Sequence, residues 1–158
     1  MTDTDPDFPV RKRLAHPPPV EKHNTPTILF VTVCVLDRSP ILANNSVHDV
    51  FCSIWPKADH WRVGRYMIMP DHVHLFCVPG VYEPLPIKRW VEFWKHEFAK
   101  ALPNLKGKLQ RDCWDTQMRS QKNDDEKLAY VSENPVRSGL AQRSEEWQYQ
   151  GRLNEIRW

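Results

Sequence analysis

Two apolar runs on either side of Pro70-Asp71 constrain the fold of this chain more than any other feature. Residues 61–69 and 73–78 are rich in β-branched and aromatic side chains, which is typical of β-strands. A Pro-Asp pair between such runs favours a tight turn, so the sequence predicts an antiparallel hairpin. Residues i and i+2 of a strand point to the same face, about 6.5 to 7 Å apart. His72 and His74 therefore share one face, where two imidazoles can bind one metal ion and are costly to bury without partners.

The rest of the chain predicts further strands and helices around this hairpin. Residues 27–36 have the composition of a strand, and a shorter strand is expected at 113–118. Apolar residues at helical spacing predict one helix from residue 45 or 46 and a second helix that Pro86 opens. A third helix is expected to begin with Asn123 as its N-cap. The order strand, helix, strand, strand, helix, strand predicts an α+β fold with a ferredoxin-like split βαβ plan, in which an antiparallel sheet carries helices on one face.

The length and the local composition predict one principal domain with two appendages. A chain of 158 residues is long enough for a single domain with its own core. Residues 1–26, with Arg11-Lys12-Arg13 and three consecutive prolines, predict a flexible Pro-rich and basic arm. Residues 27–134 are expected to form the domain, and residues 135–158 a C-terminal tail that packs on or near it. The sequence shows neither a signal peptide nor a run long enough to span a membrane, so we expect a cytoplasmic protein with no membrane partner.

Charge and cysteine content narrow the classes of function. The formal net charge is +2, but residues 84–122 contain nine Lys or Arg against four Asp or Glu, an excess of five. Such an excess is compatible with a phosphate-binding face, although on charge alone a solvated helix surface is the simpler interpretation. No C-x-x-C pair is present, which favours buried reduced thiols over disulfides or a zinc site for Cys34, Cys52, Cys77 and Cys113.

A second polar motif lies in the predicted third helix. Tyr130 and Asn134 are four residues apart and share a helix face, and Pro135 then ends the helix. Taken alone, this pair is ordinary packing. If the helix lies across the strand that carries the histidines, two imidazoles and an amide oxygen form an open three-ligand site that suits Mg²⁺ or Mn²⁺. A phenol beside such a site can attack a metal-polarised phosphodiester and form a covalent phosphotyrosine.

At these residues the sequence resembles the single-tyrosine HUH transposases, and most closely the branch called REP-associated tyrosine transposases. The resemblance extends over about residues 27–147. It rests on Phe30–Val33, Tyr66–Leu75 and Tyr130–Leu140, with weaker landmarks at Trp114-Asp115 and Glu146-Trp147. It implies the HUH endonuclease version of the ferredoxin-like fold, with residues 27–134 as an HUH transposase-like catalytic domain.

The resemblance also implies an activity and a role for individual residues. Tyr130 matches the nucleophile, and the matching metal ligands, for Mg²⁺ or Mn²⁺, are His72, His74 and Asn134. The implied enzyme is a metal-dependent single-stranded DNA endonuclease and strand transferase that forms a 5′-phosphotyrosine intermediate at repeat hairpins. Single-stranded or hairpin DNA is thus the expected partner of a monomer or homodimer, associated with the bacterial nucleoid when bound to DNA. Asp71 stands where the family commonly has Asn, which leaves the metal preference and the role of this carboxylate open.

Basic side chains near these motifs are the candidate DNA contacts: Arg62, Arg65, Lys88, Arg89, Lys95, Arg119, Lys122, Lys127 and Arg137. Two alternative functions remain open from the sequence. One is a domesticated protein that binds DNA hairpins without cutting them. The other is an unrelated metallohydrolase that uses the His-x-His motif, for which additional Asp or His ligands after His74 are not evident.

Overall fold

The computed structural model describes residues 16–21 and 26–158, so most of the predicted arm, including Arg11-Lys12-Arg13, lies outside the described residues. Its five strands are β1 (Leu29–Cys34), β2 (Trp61–Met69), β3 (His72–Pro79), β4 (Trp114–Gln117) and β5 (Gln150–Arg152). They form one antiparallel sheet in the order β4-β1-β3-β2-β5. Strands β1 to β4 have the order of the split βαβ plan, and β5 adds an edge strand that the sequence pattern did not predict.

The helices are α1 (Asn45–Ile54), α2 (Ile87–Ala101), α3 (Gln121–Ser132) and α4 (Asn134–Arg137). The prediction that Asn123 caps the third helix is wrong, because α3 begins earlier. The Ser120 hydroxyl accepts the backbone N–H of Asn123 at 3.1 Å, which is the usual N-cap contact. Asn123 instead accepts the N–H of Arg119 at 3.1 Å through its own side chain.

The sheet separates two apolar clusters. Helices α1 and α2 cover one face, where they bury large aromatic side chains such as Phe51, Trp90 and Trp94. Helix α3 covers the opposite face, where Val131 packs in a smaller cluster with Phe30 and other residues. The predicted antiparallel α+β fold is confirmed, and the first two helices share a face as expected. The third helix lies on the other face because the apolar side chains of the strands on that side also need to be buried.

The β2–β3 hairpin turns through Pro70 and Asp71, as predicted. In its register His74 lies opposite Met67, and on the other side of β3 it lies opposite Thr32 of β1. His72 and His74 therefore occupy a central strand, on the face that α3 covers.

The two outer strands of the split βαβ plan, β2 and β4, each have a further contact. Strand β5 pairs with β2, and nearby the Trp147 indole N–H donates to the Ile68 carbonyl at 2.9 Å. At the other edge, the N–H of Val20 donates to the side-chain oxygen of Gln117 in β4 at 2.8 Å. The predicted boundary between residues 134 and 135 falls within α4, and the division into domain and tail stays a prediction.

None of the four cysteines forms a disulfide; Cys34, Cys77 and Cys113 are buried, as the sequence predicted, and Cys52 is half-buried. None of the helices formed by residues 16–21 and 26–158 combines the length and apolarity that a membrane crossing requires.

Candidate functional site

The three predicted ligands come together on the α3 face of the sheet. The rings of His72 and His74 have centroids 4.7 Å apart, and both side chains are buried. Asn134, the first residue of α4, is also buried, and its Oδ1 lies 3.2 Å from Nε2 of His72. Asn134 also acts on His74, whose pKa it raises. Two imidazoles and one amide thus converge, and we call them the His72–His74–Asn134 cluster.

Asp71 holds His72 from the side opposite Asn134. Burial by itself would raise the pKa of Asp71, but hydrogen bonds from His72 and Arg38, together with their charges, lower this pKa to about 2. An ionised carboxylate only accepts hydrogen bonds, so Nδ1–H of His72 is the donor in the 2.8 Å contact with Asp71 Oδ1. In the neutral ring Nε2 then carries the lone pair, and this lone pair faces Asn134.

His74 is held in a similar way by a hydroxyl. Its Nδ1 shares a 2.8 Å hydrogen bond with Oγ1 of Thr32, and both side chains are fully buried. Burial is the largest cause that lowers the pKa of His74 well below its usual value. The charges of His72, Lys127 and Arg137 act in the same direction, and Asn134 opposes them. His74 is therefore a neutral imidazole near pH 7, which is the protonation state that binds metals.

Tyr130 lies on α3 between two cationic side chains. The guanidinium carbon of Arg137 is 3.7 Å from the centre of the Tyr130 ring, and Nη1 of Arg137 donates to the Tyr130 carbonyl at 2.6 Å. Lys127 Nζ lies 5.8 Å from the same ring centre and 5.0 Å from that of Phe30, whose ring stacks on His74 at 5.0 Å. Through Phe30 of β1, these contacts link α3, the tyrosine helix, to β3, the histidine strand, within the same chain. The Tyr130 hydroxyl is buried.

A cleft of about 530 Å³ opens beside the cluster. Its lining includes Arg38, Asp71, His72, Asn134 and Arg137. The cleft is therefore bordered by two arginines at the place where the predicted ligands meet, and its volume is in the range of small-molecule sites.

The candidate DNA contacts divide between the two faces of the sheet. Lys127 and Arg137 flank Tyr130, and Arg65 borders a small pocket beside Phe76 on the same face. Other candidates belong to α2 on the opposite face: Lys88, Arg89 and Lys95. The ammonium group of Lys95 donates to the carbonyls of Gln110 and Arg111 and so has a structural contact. The remaining candidates, Arg62, Arg119 and Lys122, are exposed. The side chain of Arg62 donates a hydrogen bond to Asn154.

A separate group of residues in the described chain could hold a metal ion. Potential ligand atoms of His16, Asp112 and Cys113 lie within 4.8 Å of one another. Nε2 of His16 is 2.5 Å from Asp112, and Nδ1 contacts Asp115, so both ring nitrogens of His16 contact carboxylates. Asp115 pairs with Val31, whose side chain is in the core with α1 and α2, so this group lies away from the histidine face.

Comparison with known proteins identifies the fold and not the family. No protein-family profile matches the chain, and no curated protein matches it. Among solved structures, a REP-associated tyrosine transposase bound to a REP hairpin is similar over 83% of this chain and 81% of its own, with a TM-score of 0.67 and 21% identity. A candidate transposase from Deinococcus radiodurans R1 is similar over 71% of this chain and 94% of its own, with a TM-score of 0.51 and 16% identity. The chain thus has the fold of the single-tyrosine HUH transposases, which confirms the predicted resemblance at the level of fold.

Sequence reasoning missed two residues of this site, Thr32 and Arg38. Thr32 lies in a strand whose pairing with β3 brings it opposite His74, a register that the sequence does not encode locally. Arg38 lies in the turn after β1 and reaches Asp71 through a contact between residues 33 positions apart. A polar residue in an otherwise apolar strand was the one available signal for Thr32, and Arg38 offered none.

Proposed function

We propose that this protein is a metal-dependent single-stranded DNA endonuclease and strand transferase in which Tyr130 is the nucleophile. The observation that carries the proposal is the convergence of His72, His74 and Asn134 beside a tyrosine helix of the same chain. The similar solved structure of a REP-associated tyrosine transposase, bound to a REP hairpin, supports a DNA hairpin as part of the substrate.

The donor set fits a divalent cation. Nε2 of His72 and Oδ1 of Asn134 lie 3.2 Å apart, and in a neutral ring each of these atoms offers a lone pair that a metal ion can bind. Two ligands at right angles around Mg²⁺, each about 2.1 Å from the ion, are about 3 Å apart. We therefore assign His72, His74 and Asn134 as the ligands of Mg²⁺ or Mn²⁺, with open positions for water and a phosphate oxygen.

Tyr130 is the tyrosine that best fits the nucleophile. Tyr66 lies on the opposite face, where His48 and Cys52 hydrogen-bond its hydroxyl and burial raises its pKa. Tyr149 packs against the core on that same face, and Tyr82 is 97% exposed in a loop. Tyr130 alone among these four combines a buried hydroxyl with two neighbouring cations and a link to the histidine strand.

The proposed reaction uses this arrangement in one displacement. The Tyr130 oxygen forms a bond to phosphorus, the bond from phosphorus to the 3′ oxygen breaks, and the phenolic proton ends on the released 3′-hydroxyl. The 5′ end of the cut strand stays on the protein as a phosphotyrosine, from which a second 3′-hydroxyl can displace it. A bound divalent cation would polarise the phosphodiester and stabilise its developing charge. Arg137 and Lys127 place further positive charge beside Tyr130, where negative charge accumulates during attack.

The test is the formation of a covalent adduct. The protein is incubated with Mn²⁺ and a pool of single-stranded oligonucleotides that carry a hairpin and randomised flanks, and adducts are detected on denaturing gels and by mass spectrometry. We expect an adduct with the wild type, none with Tyr130→Phe, and none after chelation of the metal. Tyr82→Phe is the matched control, since it removes an exposed hydroxyl from a loop and should leave the adduct unchanged.

An adduct that survives in Tyr130→Phe would refute the assignment of the nucleophile. A wild-type protein that binds the hairpin but forms no adduct with either Mg²⁺ or Mn²⁺ would instead favour the non-cleaving, domesticated function.

A further inference from the structure

Asp71 contacts the Nδ1 edge of the His72 ring, on the side away from Asn134. It therefore cannot bind the same metal ion as Asn134 directly. Its two oxygens are engaged: Oδ1 accepts Nδ1–H of His72 at 2.8 Å, and Oδ2 accepts Nε–H of Arg38 at 2.7 Å. Nδ1 and Nε2 lie on different edges of an imidazole, and Nε2 of His72 faces Asn134. The carboxylate therefore contacts the edge of the ring that points away from the cluster.

Arg38 reaches Asp71 from an unusual backbone conformation. Its φ is 59°, and it is the one non-glycine residue with positive φ in the described part of the chain. Such conformations are disfavoured for residues with a Cβ and persist where surrounding contacts determine them. Here the turn is tied to the β2–β3 hairpin by backbone bonds from Val35 N to Asp71 O (2.8 Å) and from Leu42 N to Pro70 O (2.9 Å). Two turns are thus locked together, and Arg38 extends from one turn to the carboxylate on the other.

From these contacts we propose that Asp71 is a positioning residue for His72 and that Arg38 fixes the carboxylate of Asp71. Two hydrogen bonds form a relay: the Arg38 guanidinium donates to the Asp71 carboxylate, and this carboxylate accepts from Nδ1 of His72. The relay leaves Nε2 of His72 facing Asn134. A carboxylate that holds the second nitrogen of a metal-binding histidine fixes its tautomer and its ring orientation. The inference deepens the proposed function, on which it rests for the presence of a metal, by assigning a role to two residues outside the ligand set.

The first experiment measures the tautomer of His72 without any metal. In ¹⁵N-labelled, metal-free protein, imidazole correlation spectra distinguish a protonated Nδ1 from a protonated Nε2, and His72→Gln identifies the signals of His72. We expect the wild type to show the proton on Nδ1. Asp71→Ala should shift the population toward protonated Nε2, and Asp71→Asn, which keeps an acceptor oxygen, should retain the wild-type tautomer.

The second experiment measures Mn²⁺ binding by titration calorimetry. Loss of a residue that hydrogen-bonds a metal-binding histidine typically weakens metal affinity about 10–100-fold, which is the range we expect for Asp71→Ala. Asp71→Asn should bind more tightly than Asp71→Ala, and Arg38→Gln should show a smaller loss in the same direction. Asp49→Ala, which removes an exposed carboxylate from α1 on the other side of the sheet, is the matched control and should bind like the wild type.

The outcomes separate this inference from the proposed function. Wild-type affinity and an unchanged His72 tautomer in Asp71→Ala would overturn the positioning role even if the adduct forms. Absence of Mn²⁺ binding in the wild type would refute the proposed metal site, while the metal-free spectra would still decide whether Asp71 sets the tautomer. If Asp71→Ala does not fold, the same spectra of Arg38→Gln decide, and an unchanged His72 signal there would count against the relay.

Discussion

Replacing Thr32 by valine isolates one buried hydrogen bond beside the candidate site. Valine has nearly the shape of threonine, so Thr32→Val creates little cavity but removes the oxygen that lies 2.8 Å from His74 Nδ1. Thr32 and His74 are each 1% exposed, so water cannot replace the lost partner. A buried polar group without its partner costs about 1–3 kcal/mol, and we expect the free energy of unfolding to fall by that amount.

Urea unfolding followed by tryptophan fluorescence at fixed pH measures this change. Thr116→Val is the matched control, because Thr116 is an exposed threonine on the neighbouring strand β4 and its replacement should stay within about 0.5 kcal/mol of the wild type. Thr32→Ser, which keeps the hydroxyl, should retain more of the Mn²⁺ affinity than Thr32→Val. If Thr32→Val matched the wild type in both stability and Mn²⁺ affinity, the hydrogen bond would not position His74 and the reasoning would be refuted.

Two further predictions follow from other contacts. Arg137→Gln removes an exposed cation stacked 3.7 Å from the Tyr130 ring centre. The rate of adduct formation should therefore fall about 2- to 5-fold, the equivalent of about 0.5–1 kcal/mol. An unchanged single-turnover rate would contradict this prediction. Burial, and then Asp115 and Asp112, raise the pKa of Cys113 to about 12 from its usual 9.0. The contribution of this pKa difference to the free energy of unfolding is therefore fully present below about pH 9 and is lost as the pH rises toward about 12. Between pH 8 and pH 10, urea unfolding should show Cys113→Ala losing about 1.4 kcal/mol less stability than the wild type, and equal losses would contradict the assignment.

The elements that the sequence predicted are those with a strong local pattern. Runs of β-branched residues identify β1 to β3, and apolar residues at helical spacing identify α2, where Trp90, Trp94 and Phe98 are buried as expected. Strand β5 has three residues, of which the middle one is Gly151, and no alternation distinguishes it from a loop. It forms because β2 offers an unpaired edge, which is a property of the sheet and not of the segment itself.

The candidate site was predictable where it depends on spacing and not where it depends on register or on turns. His72 and His74 share a face because strands alternate, and Asn134 follows Tyr130 by one helical turn. The predicted helix is divided in the structure: α3 ends at Ser132, and Asn134 and Pro135 both belong to α4, so Pro135 does not end the helix as predicted. The partners of the histidines belong to other segments, and only the assembled sheet brings Thr32 opposite His74.

The position of the positive charge shows why a count along the sequence misleads. The excess of basic residues in 84–122 arises mostly from α2 and the loop that follows it, and α2 packs on the sheet face opposite the histidines. The cations beside Tyr130 are Lys127 and Arg137, which lie in a segment with no basic excess. If Tyr130 cleaves a single strand, as we propose, that strand meets these two side chains before α2, because the sheet lies between Tyr130 and α2. Salt-dependent affinity for single-stranded DNA should accordingly fall more in Lys127→Gln than in Lys88→Gln, although both remove one positive charge.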